Sequence, residues 1–172
     1  MSLLNTKPKD TDWPSWLRTA YSYKGLKEIP GPKHSPIIQS WLKYLNAWWN
    51  DDETPWCGVF LGYVFKQGGY AIPKMYMRAK AWLNWGNEIQ QPVLGCVAIL
   101  DRKGGGHVFL VMGITPAGNP IGIGGNQGNS VTIAEFDNSR VLGYRVPKEW
   151  DITRAKKVPV VASAATLSTN EA

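Results

Sequence analysis

The sequence is poor in the residues that build metal centres and disulfide frameworks. It contains two cysteines, Cys57 and Cys96, and two histidines, His34 and His107. The cysteines lie far apart and outside any CxxC pattern, which argues against a disulfide scaffold and against a cysteine-rich metal site. We therefore expect no metal and no other cofactor.

Long apolar runs are absent as well. No segment reaches the roughly 18 apolar residues that a membrane span requires, and residues 1–12 hold no hydrophobic stretch of a secretory signal. We expect a protein without a membrane span, made in the cytoplasm without a recognisable signal peptide. The chain also lacks a P-loop, an HExxH motif and a GxSxG elbow, which removes three common enzyme classes.

What remains is a globular composition with a basic balance. The 172 residues are 44% hydrophobic and carry a net charge of +6, which excludes wholesale disorder. Positive charge favours an anionic partner such as a cell-wall polymer, a nucleic acid or a membrane surface, although it also serves solubility alone. The lysines and arginines are mostly dispersed along the chain, and we expect no nucleic-acid partner.

Composition divides the chain into three parts. Residues 1–12 are polar and interrupted by proline, whereas residues 158–172 are small and free of aromatic side chains. We expect a mobile N-terminus over 1–12, one domain over 13–150 and a flexible C-terminal tail over 151–172.

The first half of the domain has helical periodicity. Three helices are predicted to begin at the capping residues Asp12, Ser35 and Thr54, each with a proline in its first turn. We expect the second helix to run through Trp48 with one buried face, and the third to end at Gly68-Gly69. A shorter helix is predicted over about 75–85.

The second half changes to a period of two. Five short apolar segments, 95–101, 107–114, 119–124, 129–135 and 141–146, are separated by turn-forming residues. The separators are short enough for hairpins, so the strands should be antiparallel. The order predicts an α+β domain in which N-terminal helices pack on an antiparallel sheet of about five strands.

Cys57 is the first candidate for chemistry. If Thr54 caps the helix, Cys57 lies in its first turn, where free N–H groups and the positive end of the helix dipole favour a thiolate. A thiolate is a nucleophile. The alternative is that Cys57 is a small buried core residue beside Trp56.

A cysteine nucleophile needs a base. His107 follows three glycines and begins the most apolar strand, whereas His34 lies in a proline-bracketed loop typical of the surface. Asn126 follows the neighbouring strand, so its amide oxygen could accept a hydrogen bond from the His107 ring and fix the tautomer; Gln127 could serve instead. Each also has a structural interpretation, His107 as the end of a strand and Asn126 as part of a turn.

Five motifs follow one another in the order of a known family. They are 27–31 (KEIPG), 52–57 (DETPWC), 81–86 (AWLNWG), 106–108 (GHV) and 124–128 (GGNQG). Over about residues 13–148 the sequence resembles the CHAP/NlpC-type cysteine peptidoglycan hydrolases, in particular a phage-associated group of them. It departs from them at Gly58, Cys96 and Phe109, where relatives often carry alanine or serine, aspartate and glycine.

The resemblance implies a papain-like fold and cleavage of an amide or peptide bond in bacterial peptidoglycan. It makes Cys57 the nucleophile, His107 the base and Asn126 the third residue. The implied protein is a phage endolysin that acts on the cell wall, in the periplasm, or a lysin carried in a virion, and we expect a monomer. Two alternatives stay open: an antibacterial effector amidase delivered by a secretion system, and a non-enzymatic module that binds the cell wall.

The nine tryptophans are a large excess for this length. Trp56, together with Trp82 or Trp85, could stack on sugar rings near Cys57. Gln127 could help to bind substrate. The alternative is that these tryptophans pack between the helices in the core. The sequence does not indicate which peptidoglycan bond is cut.

Overall fold

The computed structural model describes residues 13–29, 34–48 and 55–165. Over these ranges the chain is an α+β protein in which helices pack on one six-stranded antiparallel sheet. The α-helices are α1 (Ser15–Ser22), α2 (Pro36–Tyr44) and α3 (Cys57–Gln67). Within the described part of the chain, no helix is long and apolar enough to cross a membrane.

The start of α2 follows the predicted capping pattern. Pro36 is the first helical residue, and the Ser35 side chain accepts a hydrogen bond from the Ile38 N–H at 3.3 Å. At α1 the capping residue is Pro14, and the expected cap, Asp12, lies outside the described residues. The local signal therefore placed α2 correctly and α1 to within a few residues.

The start of α3 differs from the prediction. Trp56 is its capping residue and Cys57 its first helical residue, so the helix begins two positions after Pro55. Thr54, the expected cap, lies outside the described residues. Cys57 still lies in the first turn, which is the property that matters for its chemistry.

The helix ends are set by residues with left-handed backbone. α2 ends earlier than expected because Asn46 has φ of 57° and the Ala47 N–H donates to the Leu42 carbonyl at 2.9 Å, a Schellman motif. Trp48 consequently lies beyond the helix and is 78% exposed, so its predicted place on the buried face is wrong. The expected end of α3 at Gly68-Gly69 is confirmed, with φ of 87° at Gly69.

A 3-10 helix, Ala79–Asn84, stands where a longer helix was expected over about 75–85. Its period of three brings Ala79 and Trp82 to the same buried face. The Trp82 indole N–H donates to the Tyr76 carbonyl at 3.0 Å, so the segment is anchored by its largest side chain.

The sheet contains one strand more than the sequence predicts. The strands are β1 (Asn87–Ile89), β2 (Val97–Arg102), β3 (Gly105–Ile114), β4 (Pro120–Gly124), β5 (Thr132–Glu135) and β6 (Val141–Val146). Their order across the sheet is β1-β6-β2-β3-β4-β5, and each neighbouring pair is antiparallel. β1 has no counterpart among the predicted strands because it is a three-residue edge strand with two exposed residues and no alternating pattern.

The two faces of the sheet bury different side chains. Val108 and Leu110 of β3 join the core beneath the helices, whereas Phe109 and Val111 join a second core on the opposite face. Successive side chains of a strand point to opposite faces, so this assignment also fixes the direction of His107.

Residues 156–161 pack along the sheet and do not form the flexible tail that composition predicts. The Leu94 N–H donates to the Lys156 carbonyl at 2.9 Å, and the Val161 N–H donates to the Ile114 carbonyl at 2.9 Å. Val158 and Val161 are buried. Backbone hydrogen bonds and two buried side chains together offset the entropy of ordering this segment.

We predict that Val161→Ala lowers the free energy of unfolding by roughly 1–3 kcal/mol, because it leaves a cavity in the core. Val160→Ala is the matched control: Val160 is 64% exposed, and its truncation should change stability by less than about 0.5 kcal/mol. Urea unfolding measures both. Equal losses in the two variants would contradict the packing of this segment.

Candidate active site

Cys57 is buried where α3 meets the sheet. It is 3% exposed, and the first intrahelical hydrogen bond runs from the Phe60 N–H to the Trp56 carbonyl at 2.9 Å. The N–H groups of the first helical turn therefore have no partner within the helix. The N–H groups of Cys57 and Gly58 point to the cysteine sulfur.

Burial raises the pKa of the Cys57 thiol. The Val108 N–H, the charge of Arg102 and the N–H groups of Gly58 and Cys57 act in the opposite direction, because each stabilises the thiolate. The loss of water outweighs them. The thiolate expected from the helix start is therefore not the stable form at neutral pH, and Cys57 carries a protonated thiol.

His107 is the third residue of β3 and pairs with Leu100 of β2. Its side chain is buried, and its ring lies 6.0 Å from the Phe109 ring and 5.3 Å from the Phe136 ring between centroids. Both phenylalanines belong to the core on the face opposite the helices. The imidazole therefore lies on that face.

Burial lowers the pKa of His107 to about 4. The hydrogen bond with Gln127 opposes this shift, and the charges of Arg102 and Arg140 add to it. The imidazole is consequently neutral at pH 7, the form that a general base requires.

The amide that holds His107 belongs to Gln127. Its Oε1 lies 2.9 Å from Nε2 of His107, and its Nε2 donates to the Thr132 carbonyl at 2.7 Å. An amide oxygen only accepts, so Nε2 of His107 carries the hydrogen and Nδ1 is the basic nitrogen. The hydrogen bond expected between Asn126 and His107 is not formed: Asn126 has φ of 59° and turns the chain, so that the following side chain reaches the ring.

The thiol and the imidazole approach the start of β3 from opposite faces. Cys57 packs with Val108 in the core beneath the helices, and His107 packs with Phe109 on the other side. Within the described ranges no hydrogen bond joins Sγ to the ring; the sulfur contacts instead the N–H of Val108, the next residue along the strand. The contact between ring and sulfur that a nucleophile and its base require is therefore absent in this state.

Two glycines leave room for the Gln127 amide and for the Trp56 indole. A Cβ atom on Gly124 would overlap Oε1 of Gln127, and a Cβ atom on Gly125 would lie 2.7 Å from the Trp56 indole. The indole N–H of Trp56 donates to Oε2 of Glu28 at 2.8 Å, a contact that the sequence analysis did not anticipate. Small residues and one carboxylate thus fix the start of α3 against the end of β4.

The tryptophans expected to stack on sugars are mostly unavailable for it. Trp56 and Trp82 are 1% and 0% exposed, and Trp85 donates its indole N–H to the Ala71 carbonyl at 2.8 Å. Trp85 lines a cavity of about 440 Å³ with Lys74 and Lys148. Core packing is therefore the role that the structure gives to Trp56 and Trp82.

A second cavity, of about 360 Å³, opens beside His107 on the face opposite the helices. Its lining comprises Arg102, His107, Asn126, Gln127, Gly128, Thr132, Ala134, Phe136 and Arg140. Cys57 and His34 do not line it. Two predicted residues, Asn126 and Gln127, thus meet His107 at one cavity, together with two arginines that belong to no motif in the sequence.

Residues 13–29, 34–48 and 55–165 contain no group of three or more His, Cys, Asp or Glu side chains that could hold a metal ion. Comparison with known proteins identifies no relative: no family model, no curated protein and no solved structure matches this chain.

Because the folded pKa of His107 is about 4, below its ordinary value, the unfolded chain binds a proton first as pH falls. Above about pH 6.5, His107 is neutral in both the folded and the unfolded chain, and the protein keeps its full stability. As pH falls from about 6.5 to about 4, only the unfolded chain gains the proton, so the free energy of unfolding decreases. We predict that wild type loses up to about 3 kcal/mol more stability than His107→Gln over this window, at about 1.4 kcal/mol per pH unit. Urea unfolding at successive pH values measures it, and parallel curves for the two proteins would refute the prediction.

Proposed function

We propose that this chain is a cysteine hydrolase that cleaves an amide or peptide bond of bacterial peptidoglycan on a papain-like version of the α+β fold. One observation supports it most directly: Sγ of Cys57 contacts the N–H of Val108, and the adjacent residue, His107, is held through Nε2 by Gln127. Nucleophile, base and orienting amide thus converge on the start of one strand. The resemblance of five sequence motifs to those of the CHAP/NlpC-type hydrolases supports the proposed substrate class.

In the proposed reaction, Nδ1 of His107 takes the proton from Sγ of Cys57 as the sulfur attacks the carbonyl carbon of the scissile amide. The C–N bond then breaks, His107 returns the proton to the leaving amine, and a thioester remains on Cys57. Water that His107 deprotonates hydrolyses the thioester and restores the thiol. The Cys57 N–H, which has no partner within the helix, is a donor for the oxyanion.

This reaction requires a contact between Nδ1 and Sγ that forms on substrate binding. The pairing of β3 with β4 begins at Leu110, so at His107 the strand is paired with β2 alone. Catalytic hydrogen bonds often tighten only in the complex with substrate. Burial of both groups in their neutral forms suits a mechanism in which the proton moves during the attack.

The non-enzymatic wall-binding module is the second candidate, and one observation favours it. Cys57 is a buried thiol with a raised pKa and, among the described residues, without an imidazole partner. A buried structural cysteine has the same properties. The two candidates differ in a single measurable respect, which is whether removal of Sγ abolishes bond cleavage.

For the biological setting we propose a phage endolysin or a virion-borne lysin acting on the cell wall. An effector amidase delivered by a secretion system would use the same residues and the same chemistry. The genes next to this one distinguish these settings.

We predict that Cys57→Ala lowers the rate of peptidoglycan cleavage by roughly a thousandfold or more, because it removes the atom that forms the thioester. The assay is loss of turbidity of purified sacculi. Cys96→Ala is the matched control, since Cys96 is equally buried but lies in the core on the other face of the sheet. Undiminished cleavage by Cys57→Ala with a folded protein would rule out the cysteine mechanism.

We predict that Gln127→Ala lowers kcat by roughly 10–100-fold, the scale of one or two lost neutral hydrogen bonds. Asn126→Gly should change kcat by much less, because Asn126 makes no hydrogen bond to the ring and glycine keeps the left-handed turn. The pH profile adds a second readout: the Gln127 hydrogen bond raises the pKa of His107, so its loss should move the acidic limb to lower pH. A larger effect of Asn126→Gly would restore Asn126 as the orienting residue.

A further inference from the structure

Arg102 and Arg140 bring two positive charges to the cavity beside His107. Arg102 is the last residue of β2, and Arg140 ends the 3-10 helix Asn138–Arg140. Nε of Arg140 donates to the Asp101 carbonyl at 3.1 Å. This bond anchors the guanidinium by its inner nitrogen and leaves the two terminal nitrogens, the pair that recognises planar anions, for the cavity.

The nearby carboxylates are engaged elsewhere. Asp101 pairs with Nζ of Lys80 at 2.9 Å, and Asp137 accepts a hydrogen bond at 2.9 Å from the backbone of its own turn. Both are close enough to Arg140 to respond to its charge. In the described part of the chain, however, no carboxylate forms an ion pair with Arg102 or Arg140.

The remainder of the cavity suits a short peptide group. Ala134 and Phe136 provide an apolar wall, and the amides of Asn126 and Gln127 lie beside His107. A volume of about 360 Å³ is at the small end of ligand sites and accommodates one or two amino-acid residues. A positive, partly apolar pocket of this size fits an amino-acid residue that carries a free carboxylate.

We propose that Arg102 and Arg140 bind a carboxylate of the substrate and so select stem peptides that carry a free carboxylate. The inference rests on the proposed function and narrows its substrate. A carboxylate accepts two parallel hydrogen bonds from a guanidinium. A carboxamide in the same place presents its own N–H donor to the N–H donors of the two guanidinium groups. It also carries no negative charge to balance the positive charge of the arginines.

The experiment separates binding from cleavage. Cys57→Ala is titrated by calorimetry with a soluble disaccharide-tetrapeptide whose carboxylates are free, and with the same muropeptide in amidated form. We expect the free acid to bind roughly 10–100-fold more tightly, the range of one charge-assisted hydrogen-bonded pair. Adding Arg102→Gln and Arg140→Gln should remove this preference.

Arg154→Gln is the control for each single substitution, because it removes one positive charge from an exposed position outside the cavity. It should leave the preference unchanged. If the double variant does not fold, Arg102→Lys and Arg140→Lys replace it: each keeps the charge but loses the planar fork, and each should weaken the preference for the free acid.

The outcomes distinguish this inference from the proposed function. Arginine-dependent preference for the free acid without cleavage by wild type would support the carboxylate site and refute the hydrolase. Cleavage of both muropeptides at equal rates, unaffected by the arginine variants, would support the hydrolase and overturn the carboxylate site. Failure of the free-acid muropeptide to bind would also overturn it.

Discussion

The indole of Trp56 lies against the backbone of Gly125, and the two halves of the chain meet at this contact. Trp56 caps the helix that begins with Cys57, and Gly125 follows the strand that leads to Gln127. Any side chain at Gly125 would overlap the indole. Glu28 completes the arrangement, since its carboxylate accepts the indole N–H while its backbone N–H donates to the Asn129 carbonyl at 3.0 Å.

Burial away from water determines the protonation states of Cys57 and His107 at this junction. Backbone N–H groups and the charge of Arg102 favour a thiolate at Cys57, but burial opposes them and prevails. The same burial keeps His107 neutral. The resting state is thus a neutral thiol and a neutral imidazole on opposite faces of β3, and a reaction needs both a movement of the ring and a proton transfer in a water-poor site. In the proposed reaction, a substrate carboxylate on Arg102 and Arg140 would offset the positive charge near the imidazolium.

Local signals in the sequence predicted most of the fold and only part of the site. The Ser35-Pro36 cap, the Gly68-Gly69 stop and five of the strands depend on residues adjacent in sequence, so their patterns are visible. The side of the sheet taken by His107 is not, because residues 107–114 are apolar on both alternating sets. The choice between Asn126 and Gln127 depends on the left-handed backbone of Asn126, a conformation that asparagine adopts more readily than glutamine. The direction in which this turn aims the Gln127 side chain is set by the fold and is not visible in the local sequence.

The most direct test of cysteine-dependent amide hydrolysis is mass spectrometry of muropeptides released from purified sacculi in water enriched in oxygen-18. Thioester hydrolysis by water predicts fragments with a new amine and a new carboxyl group that carries one heavy oxygen, and it predicts that Cys57→Ala releases none of them. The position of the label also identifies the bond that is cut. Release of no fragments by wild type, or of fragments with intact peptides and broken glycan strands, would contradict the hydrolase mechanism.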